Sequence, residues 1–168
     1  NIRYDSGLNS WDELRNLILT DERDSFCTLR KSYRNTVEIS EFATCILDHG
    51  DFDVYPVDPI IRHGDKPDIL NVAQNDVFDV IFKKCKEWQS EGHLTVAVVC
   101  RTEEQAEEVN KKLSSMGLNV IESDPEKAEF GNGIMVLPVA LTKGLEFDAV
   151  LLYEPDSSAY PTDDRHAK

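Results

Sequence analysis

Three polar clusters in the sequence contain residue types that can bind a phosphate-bearing ligand. They are RKSYRNT at 30–36, CRTEEQ at 100–105 and LTKGLEF at 141–147. Each cluster follows a short apolar run with the length and β-branching of a buried strand, at 26–29, 94–100 and 134–139. Because ligands of parallel sheets bind at the carboxyl ends of the strands, we expect Arg34, Arg101 and Lys143 to share one sheet edge.

The side chains of the first and third clusters suggest a nucleotide as the ligand. Arg34 offers a planar, permanently charged group that fits phosphate oxygens, and Tyr33 offers a flat face for a base. Lys143 beside Gly144 could present a charge and a close backbone N–H to an anion, while Glu146 could accept hydrogen bonds from sugar hydroxyls. Plainer interpretations stay open: core packing for Tyr33, a surface ion pair for Arg34 and a solvated turn for the other three residues.

Arg101 and Thr142 are the candidates for contact with nucleic acid. The glutamates in the first turn of the following helix offer Arg101 local partners, which favours a structural role for it. The formal net charge of −14 argues against a large, independent nucleic-acid-binding face, because phosphate recognition needs concentrated Lys and Arg. A narrow contact groove is still compatible with this charge, since many acidic residues fall on predicted solvated helix faces such as 102–108.

The motifs that the sequence lacks are also informative. It contains no G-x-x-x-x-G-K-[ST] phosphate loop, no G-x-G-x-x-G fingerprint and no Asp-Glu pair of the Walker B type. The chain can therefore hold at most half of a nucleotide site. The four histidines have no metal-like spacing and are predicted to be surface residues, His49, His63, His93 and His166.

Composition indicates one domain over 1–168, because 168 residues with 40% apolar content suit a single core. No apolar run reaches the roughly 18 to 20 residues that span a bilayer. The first residues also lack the profile of a signal peptide. We therefore expect a cytoplasmic protein without a membrane partner. The four cysteines have no C-x-x-C pair and are predicted to be buried thiols in a reducing compartment.

The order of predicted elements indicates the fold class. Four helices are predicted from capping residues and apolar stripes: one between Thr102 and Gly117, one over Asn75–Gln89 before Gly92, and two opened by the pairs Asn35/Glu38 and Ser10/Glu13. Strands are predicted at 26–29, 94–100, 118–122, 134–139 and 149–153. Because strands and helices alternate, the sequence predicts an α/β three-layer sandwich with a mainly parallel sheet. The segment 51–69 is predicted to be an irregular excursion with an edge strand at Val54–Val57, and 157–168 a flexible end.

Two stretches resemble motifs of one helicase family. LRKSYRNTVEISEFATCIL at 29–47 resembles motif IV of the UvrD/Rep-like superfamily 1 helicases, with a Tyr-Arg pair before an apolar helix. IMVLPVALTKGLEFDAVLLYEP at 134–155 resembles their motif V, in which a strand leads to Lys-Gly-Leu-Glu-Phe-Asp and a second strand. The second match is the more specific, and together the two motifs span most of the chain. A chance match in an unrelated α/β binding domain is the remaining structural alternative.

The resemblance implies that the chain is the second of two RecA-like domains that bind ATP between them. It implies that Arg34 reaches the γ-phosphate as an arginine finger, Tyr33 stacks near the adenine, and Glu146 takes the ribose hydroxyls. Lys143 and Gly144 would shape the phosphate side. The first RecA-like domain of the same polypeptide would supply the phosphate loop and hold Mg²⁺, so this chain alone is expected to be inactive. Single-stranded or duplex DNA is the implied further partner.

The sequence departs from the family at motif V. Pro138 and Ala140 stand where the usual motif has a threonine and a histidine that contact single-stranded DNA, which puts that contact in doubt. The large helical insertion of many relatives is absent or reduced to 51–69 and 123–132. In both traits the chain resembles the branch that includes DNA helicase IV and the HelD-type ATPases. The alternative function is therefore an RNA-polymerase-binding module that remodels transcription complexes. The family's motif VI would follow Lys168, so the chain is expected to be a fragment.

Overall fold

The computed structural model of the chain describes residues 16–17, 31–48, 58–59, 61–121 and 131–155. The chain groups into two compact units, 1–69 with 161–168 and 70–160. In the described ranges, no helix is long and apolar enough to cross a membrane. The single domain over 1–168 stays a prediction.

The first unit contains a short parallel strand pair and one helix. Strand β1 (Lys31–Ser32) pairs with β2 (Asp58–Pro59), and helix α1 (Val37–Asp48) follows β1 after a bend. The predicted strands at 26–29 and Val54–Val57 and the end at 157–168 lie outside the described residues. Of the helix predicted to open at Ser10, only residues 16–17 are described, and they are helical.

The N-cap of α1 is Thr36 instead of the predicted Asn35, so this prediction is wrong by one residue. The side-chain oxygen of Thr36, rather than that of Asn35, accepts a hydrogen bond from the backbone N–H of Ile39 at 3.3 Å. Thr36 also provides the first helical carbonyl, which accepts from the N–H of Ser40 at 3.1 Å. Glu38 does not complete a capping box, because its carboxylate binds residues 63 and 64 of a distant segment instead.

The second unit is a parallel sheet with helices packed on it. Its elements are α2 (Val77–Glu91), β3 (Thr95–Cys100), α3 (Glu103–Ser115), β4 (Gly133–Pro138) and β5 (Ala149–Leu152), with 3₁₀ turns at Gln74–Asp76 and Val139–Leu141. The strand order is β4-β3-β5, and both pairings are parallel. These elements confirm the predicted α/β class with a parallel sheet flanked by helices.

The core of the second unit explains why β3 and β4 are uniformly apolar. Helices α2 and α3 cover one face of the sheet, where Val96, Val98 and Ile134 pack against Ile81 and Leu113. The alternate strand residues belong to the other face and are also buried: Ala97, Val99, Met135 and Leu137. Because both faces of β3 and β4 are buried, these two strands show continuous apolar runs instead of alternation.

The start of α3 and the C-terminal ends of both helices in this unit follow the sequence signals, whereas α2 begins at Val77, after a 3₁₀ turn, instead of at the predicted Asn75. Thr102 caps α3 by accepting from the N–H of Gln105 at 3.2 Å, as predicted. The Gln105 side chain returns to the N–H of Arg101 at 2.9 Å, one residue before the cap. At the other end, the N–H groups of Gly117 and Leu118 bond to carbonyls of the last turn, and Gly92 ends α2 in the same manner.

Two predictions need correction. The strand predicted at 118–122 is reduced to an isolated parallel bridge between Val120 and Ile134. Cys85 and Cys100 are buried as predicted, whereas Cys45 is exposed. Cys45 lies on α1, a helix without a buried residue. Cys27 lies outside the described residues.

The connection from β4 to β5 contains no α-helix. It has to bring the chain from the carboxyl end of one edge strand to the amino end of the other, across the central strand β3. Helix α3 connects β3 to β4 on the face covered by α2 and α3, and parallel crossovers are right-handed. The connection 139–148, which runs in the opposite direction across the sheet, must therefore pass over the other face.

Gly133, the first residue of β4, is predicted to be intolerant of a side chain. Its φ is +148°, and a Cβ atom there would lie 2.2 Å from Cδ1 of Ile121. We expect Gly133→Ala to lower the free energy of unfolding by roughly 1–3 kcal/mol, measured by urea denaturation of the chain. Gly131→Ala is the matched control, since its Cβ would meet the same atom at 3.9 Å. Equal stability of the two variants would contradict the prediction.

Candidate functional site

Tyr33 and Arg34 lie in the bend between β1 and α1, as the sequence predicts. The Tyr33 side chain is 68% exposed, which excludes the core-packing alternative and leaves the ring accessible to a ligand. Arg34 is also exposed. Both residues follow a strand end, which is where ligands of α/β sheets bind.

The backbone around Arg34 is held by the segment 62–64. The guanidinium of Arg62 donates to the Arg34 carbonyl at 2.8 Å, and the Arg62 carbonyl accepts from the N–H of Val37 at 2.9 Å. Val37 is the first residue of α1, so its N–H has no partner within the helix. One residue therefore holds the chain on both sides of the Thr36 cap.

Glu38 strengthens the same contact between segments. Its carboxylate accepts from Nδ1 of His63 at 2.8 Å and from the N–H of Gly64 at 3.0 Å. These bonds lower the pKa of Glu38 from 4.5 to about 2, with the His63 bond as the largest cause. His63, predicted to be an ordinary surface residue, is exposed but has a defined structural partner. Nothing in its spacing predicts this pair, because the partners are far apart in sequence.

Lys143 and Gly144 lie in a tight turn soon after β4. The Thr142 hydroxyl donates to the Val139 carbonyl at 2.8 Å, and the N–H of Leu145 bonds to the Thr142 carbonyl at 3.0 Å. Gly144 has a φ of +86°, as the third residue of a type II turn requires. No atom lies within 4 Å of where its Cβ would be, so the turn, and not a lack of space, explains the glycine here.

Lys143 and Glu146 are both exposed. The turn that carries Lys143 lies close to the carboxyl end of β4, whereas Glu146 is three residues before Ala149, the first residue of β5. An extended residue advances about 3.3 Å, so Glu146 lies on the part of the connection that crosses the sheet. The roles of these residues toward ATP stay predictions.

Asp148 is the residue of this loop that sequence reasoning missed. Its carboxylate accepts from the N–H groups of Leu94 and Thr95 at 2.8 and 2.9 Å and from the Thr95 hydroxyl at 3.1 Å. The backbone N–H of Asp148 bonds back to Thr95. The bond from the Thr95 N–H is the largest cause of its lowered pKa, followed by that from Leu94. An aspartate directly before a strand is the signal that could have indicated this role.

Arg101 lies at the same sheet edge as the start of the Val139–Leu141 turn. It follows Cys100, which pairs with Pro138, the residue before that turn. Its side chain is partly buried, and its backbone N–H is engaged by Gln105. The structure thus brings Arg101 and the start of the third cluster to one edge, while a shared edge with Arg34 stays a prediction.

The buried thiols and the described acidic groups do not form a reactive or metal-binding centre. Burial raises the pKa of Cys85 to about 11 and that of Cys100 to about 12, so both thiols stay protonated near neutral pH. Within 31–48, 61–121 and 131–155, no three His, Cys, Asp or Glu residues are grouped so that they could hold a metal ion.

Comparison with known proteins supports a helicase domain at the level of the fold. No protein-family model and no curated protein sequence matches the chain. The chain is similar to the crystal structure of the C-terminal domain of a possible DNA helicase from Lactobacillus plantarum WCFS1. The two are 28% identical, the TM-score is 0.63, and the match covers 81% of this chain and 77% of that one. The chain thus has the fold of a helicase C-terminal domain, and the likeness does not extend to a particular helicase branch.

The link between Asp148 and Thr95 is predicted to make stability depend on pH. The pKa of Asp148 is lower in the folded chain than the ordinary value of 3.8 that it has in the unfolded chain. Its carboxylate therefore stabilises the fold at pH values above 3.8, and this stabilisation is lost as the pH falls through the pKa of the folded chain. We expect Asp148→Asn to lower the Tm at pH 7, with the difference from wild type shrinking toward pH 2. Asp68→Asn, which also removes one negative charge, is the control. Equal Tm values of wild type and Asp148→Asn at pH 7 would refute the role.

Proposed function

We propose that this chain is the C-terminal motor domain of an ATP-dependent DNA helicase or translocase. The observation that carries the proposal is the likeness, over 81% of the chain, to the C-terminal domain of a possible DNA helicase. The motifs at 29–47 and 134–155 support a finer assignment to the UvrD/Rep-like helicases, on the branch of DNA helicase IV and the HelD-type ATPases.

In this proposal, the chain supplies one side of an ATP site. The sequence has no phosphate loop and no Walker B pair, so a first RecA-like domain of the same polypeptide provides both and holds Mg²⁺. This chain then contributes Arg34 toward the γ-phosphate, Tyr33 toward the adenine and Glu146 toward the ribose, with Lys143 and Gly144 on the phosphate side. The exposure of Tyr33 and Arg34 supports these roles, because a ligand can reach both side chains.

Arg34 acts electrostatically in this proposal. A guanidinium keeps its positive charge at any physiological pH, and its planar N–H groups match the oxygens of a phosphate. It would stabilise the negative charge that develops on the transferring phosphoryl group, and so it would act on the transition state more than on bound ATP. No proton transfer through this chain is needed for that role.

The DNA contact is assigned more readily to Arg101 than to Thr142. A DNA phosphate only accepts hydrogen bonds, whereas the Thr142 hydroxyl already donates to the Val139 carbonyl. Arg101 carries a permanent positive charge at the carboxyl edge of β3, beside the start of the third cluster. A single such contact suits a narrow groove and agrees with the net charge of −14.

A second candidate function is an RNA-polymerase-binding module of a HelD-type ATPase. Two sequence observations favour it: the net charge of −14, and Pro138 and Ala140 in place of the threonine and histidine of the usual motif. The two functions differ in what stimulates ATP turnover. Stimulation of the complete protein by DNA alone supports the helicase, while stimulation only by RNA polymerase supports the alternative.

The 168-residue chain alone is predicted neither to hydrolyse ATP nor to bind it tightly. Half of a composite site lacks the phosphate loop and the metal-holding carboxylates that carry most of the positioning in phosphoryl transfer. The measurements are phosphate release and ATP titration by calorimetry, with the complete protein as the positive control. Robust turnover by the chain alone, abolished by Arg34→Ala, would contradict the proposal.

Arg34→Ala in the complete protein tests the proposed role of this arginine. We expect kcat to fall by roughly 10³- to 10⁵-fold, the range of arginine fingers, while ATP affinity changes by only a few fold. Arg34→Lys should restore little, because a flexible point charge does not reproduce the planar group. Tyr33→Ala, the comparison variant, should mainly raise KM by removing base stacking. A kcat within about twofold of wild type for Arg34→Ala, at saturating DNA or polymerase, would exclude the role.

A further inference from the structure

The residues 62–64, here called the 62–64 clasp, carry the inference. The sequence places them in an irregular excursion and gives them no role, yet they bond directly to the loop of Arg34 and to the first turn of α1. Four hydrogen bonds join the clasp to residues 34–38, with lengths of 2.8, 2.9, 2.8 and 3.0 Å. All these residues belong to one compact unit of the chain.

The contacts of Arg62 are arranged to fix the backbone of Arg34. Its guanidinium binds the Arg34 carbonyl, and its own carbonyl binds the N–H of Val37. The chain between these two points makes the change from strand end to helix. Because both flanks of this short stretch are held by one residue, the Cα of Arg34 has little freedom to shift.

Glu38 of α1 holds the clasp in place. The Glu38 carboxylate bonds to the His63 ring and to the Gly64 N–H, so the clasp is attached to the first turn of α1. A negative charge in that turn is also favoured by the helix dipole. The approach is close: a Cβ atom at Gly64 would lie 2.8 Å from Cγ2 of Thr36.

We propose that Arg62 is a positioning residue that fixes the backbone from which Arg34 reaches the nucleotide. The inference rests on the proposed role of Arg34 in ATP hydrolysis. A group that stabilises a transition state must be held within a fraction of an ångström, and a misplacement of about 1 Å can cost about 10²-fold in rate. Arg62 acts only through Arg34 and does not touch the nucleotide.

The first test compares kcat and KM for ATP in the complete protein. We expect Arg62→Ala to lower kcat by roughly 10- to 100-fold and to leave KM within about threefold. Arg62→Lys should recover part of the loss, because an ammonium can still donate to the Arg34 carbonyl. Lys66→Ala is the matched control, a nearby exposed cation whose side chain has no ion-pair or hydrogen-bond partner among the described residues. It should behave as wild type.

The second test is the double variant Arg34→Ala/Arg62→Ala. If Arg62 acts through Arg34, the double variant should be no slower than Arg34→Ala alone. A further loss in the double variant, or a kcat of Arg62→Ala within twofold of wild type while Arg34→Ala is slow, would overturn the inference and leave the proposed function intact. A normal kcat for Arg34→Ala would instead exclude the proposed role of Arg34, and the inference about Arg62 with it.

Amide hydrogen exchange on the 168-residue chain separates loosening from unfolding. We expect faster exchange at the Val37 and Gly64 amides in Arg62→Ala, with unchanged protection at the later turns of α1, which belong to the same unit as the clasp. His63→Ala loosens the clasp without altering Arg62 and should give the same pattern, with a smaller loss of kcat in the complete protein. Unchanged exchange at both amides in both variants would overturn the clasp.

Discussion

The parallel pairing of β3 with a neighbour on each side is the constraint on which the second unit depends. Residues 96–100 of this strand are all buried, so both faces of the sheet must be covered. Parallel neighbours also oblige the chain to return to the amino end after each strand. Helix α3 makes that return on one face, and the connection 139–148 makes it on the other. The position of the Lys143–Gly144 turn therefore follows from the strand order.

Two acidic side chains in a strongly acidic chain serve as anchors between segments that are distant in sequence. Asp148 binds the backbone N–H groups at the start of β3, and Glu38 binds the clasp beside the bend that carries Arg34. Each carboxylate has a lowered pKa, because hydrogen-bond donors favour its charged form. In each unit, a carboxylate therefore holds a loop that carries candidate ligand-binding residues.

Much of the second unit could be predicted from sequence because its signals are local. Continuous apolar runs located β3, β4 and β5, and Thr102 and Gly117 located the ends of α3. The signals failed where distant partners decide the outcome. Glu38 has the spacing of a capping box with Asn35, yet two donors from the clasp compete for its carboxylate. Of the candidate site, the turn of Lys143 and Gly144 was predictable, whereas the contacts of Asp148 and Arg62 were not.

The connection between β4 and β5 has almost no slack. Residues 139–141 form a 3₁₀ turn, 142–145 form a tight turn, and only 146–148 remain to cross to the amino end of β5. Its length therefore sets the register of the last strand. In β5, Ala149 and Leu151 face the core while Val150 and Leu152 are exposed. A one-residue deletion here would exchange these two sets of side chains, so insertions and deletions should be rarer in this loop than in most surface loops.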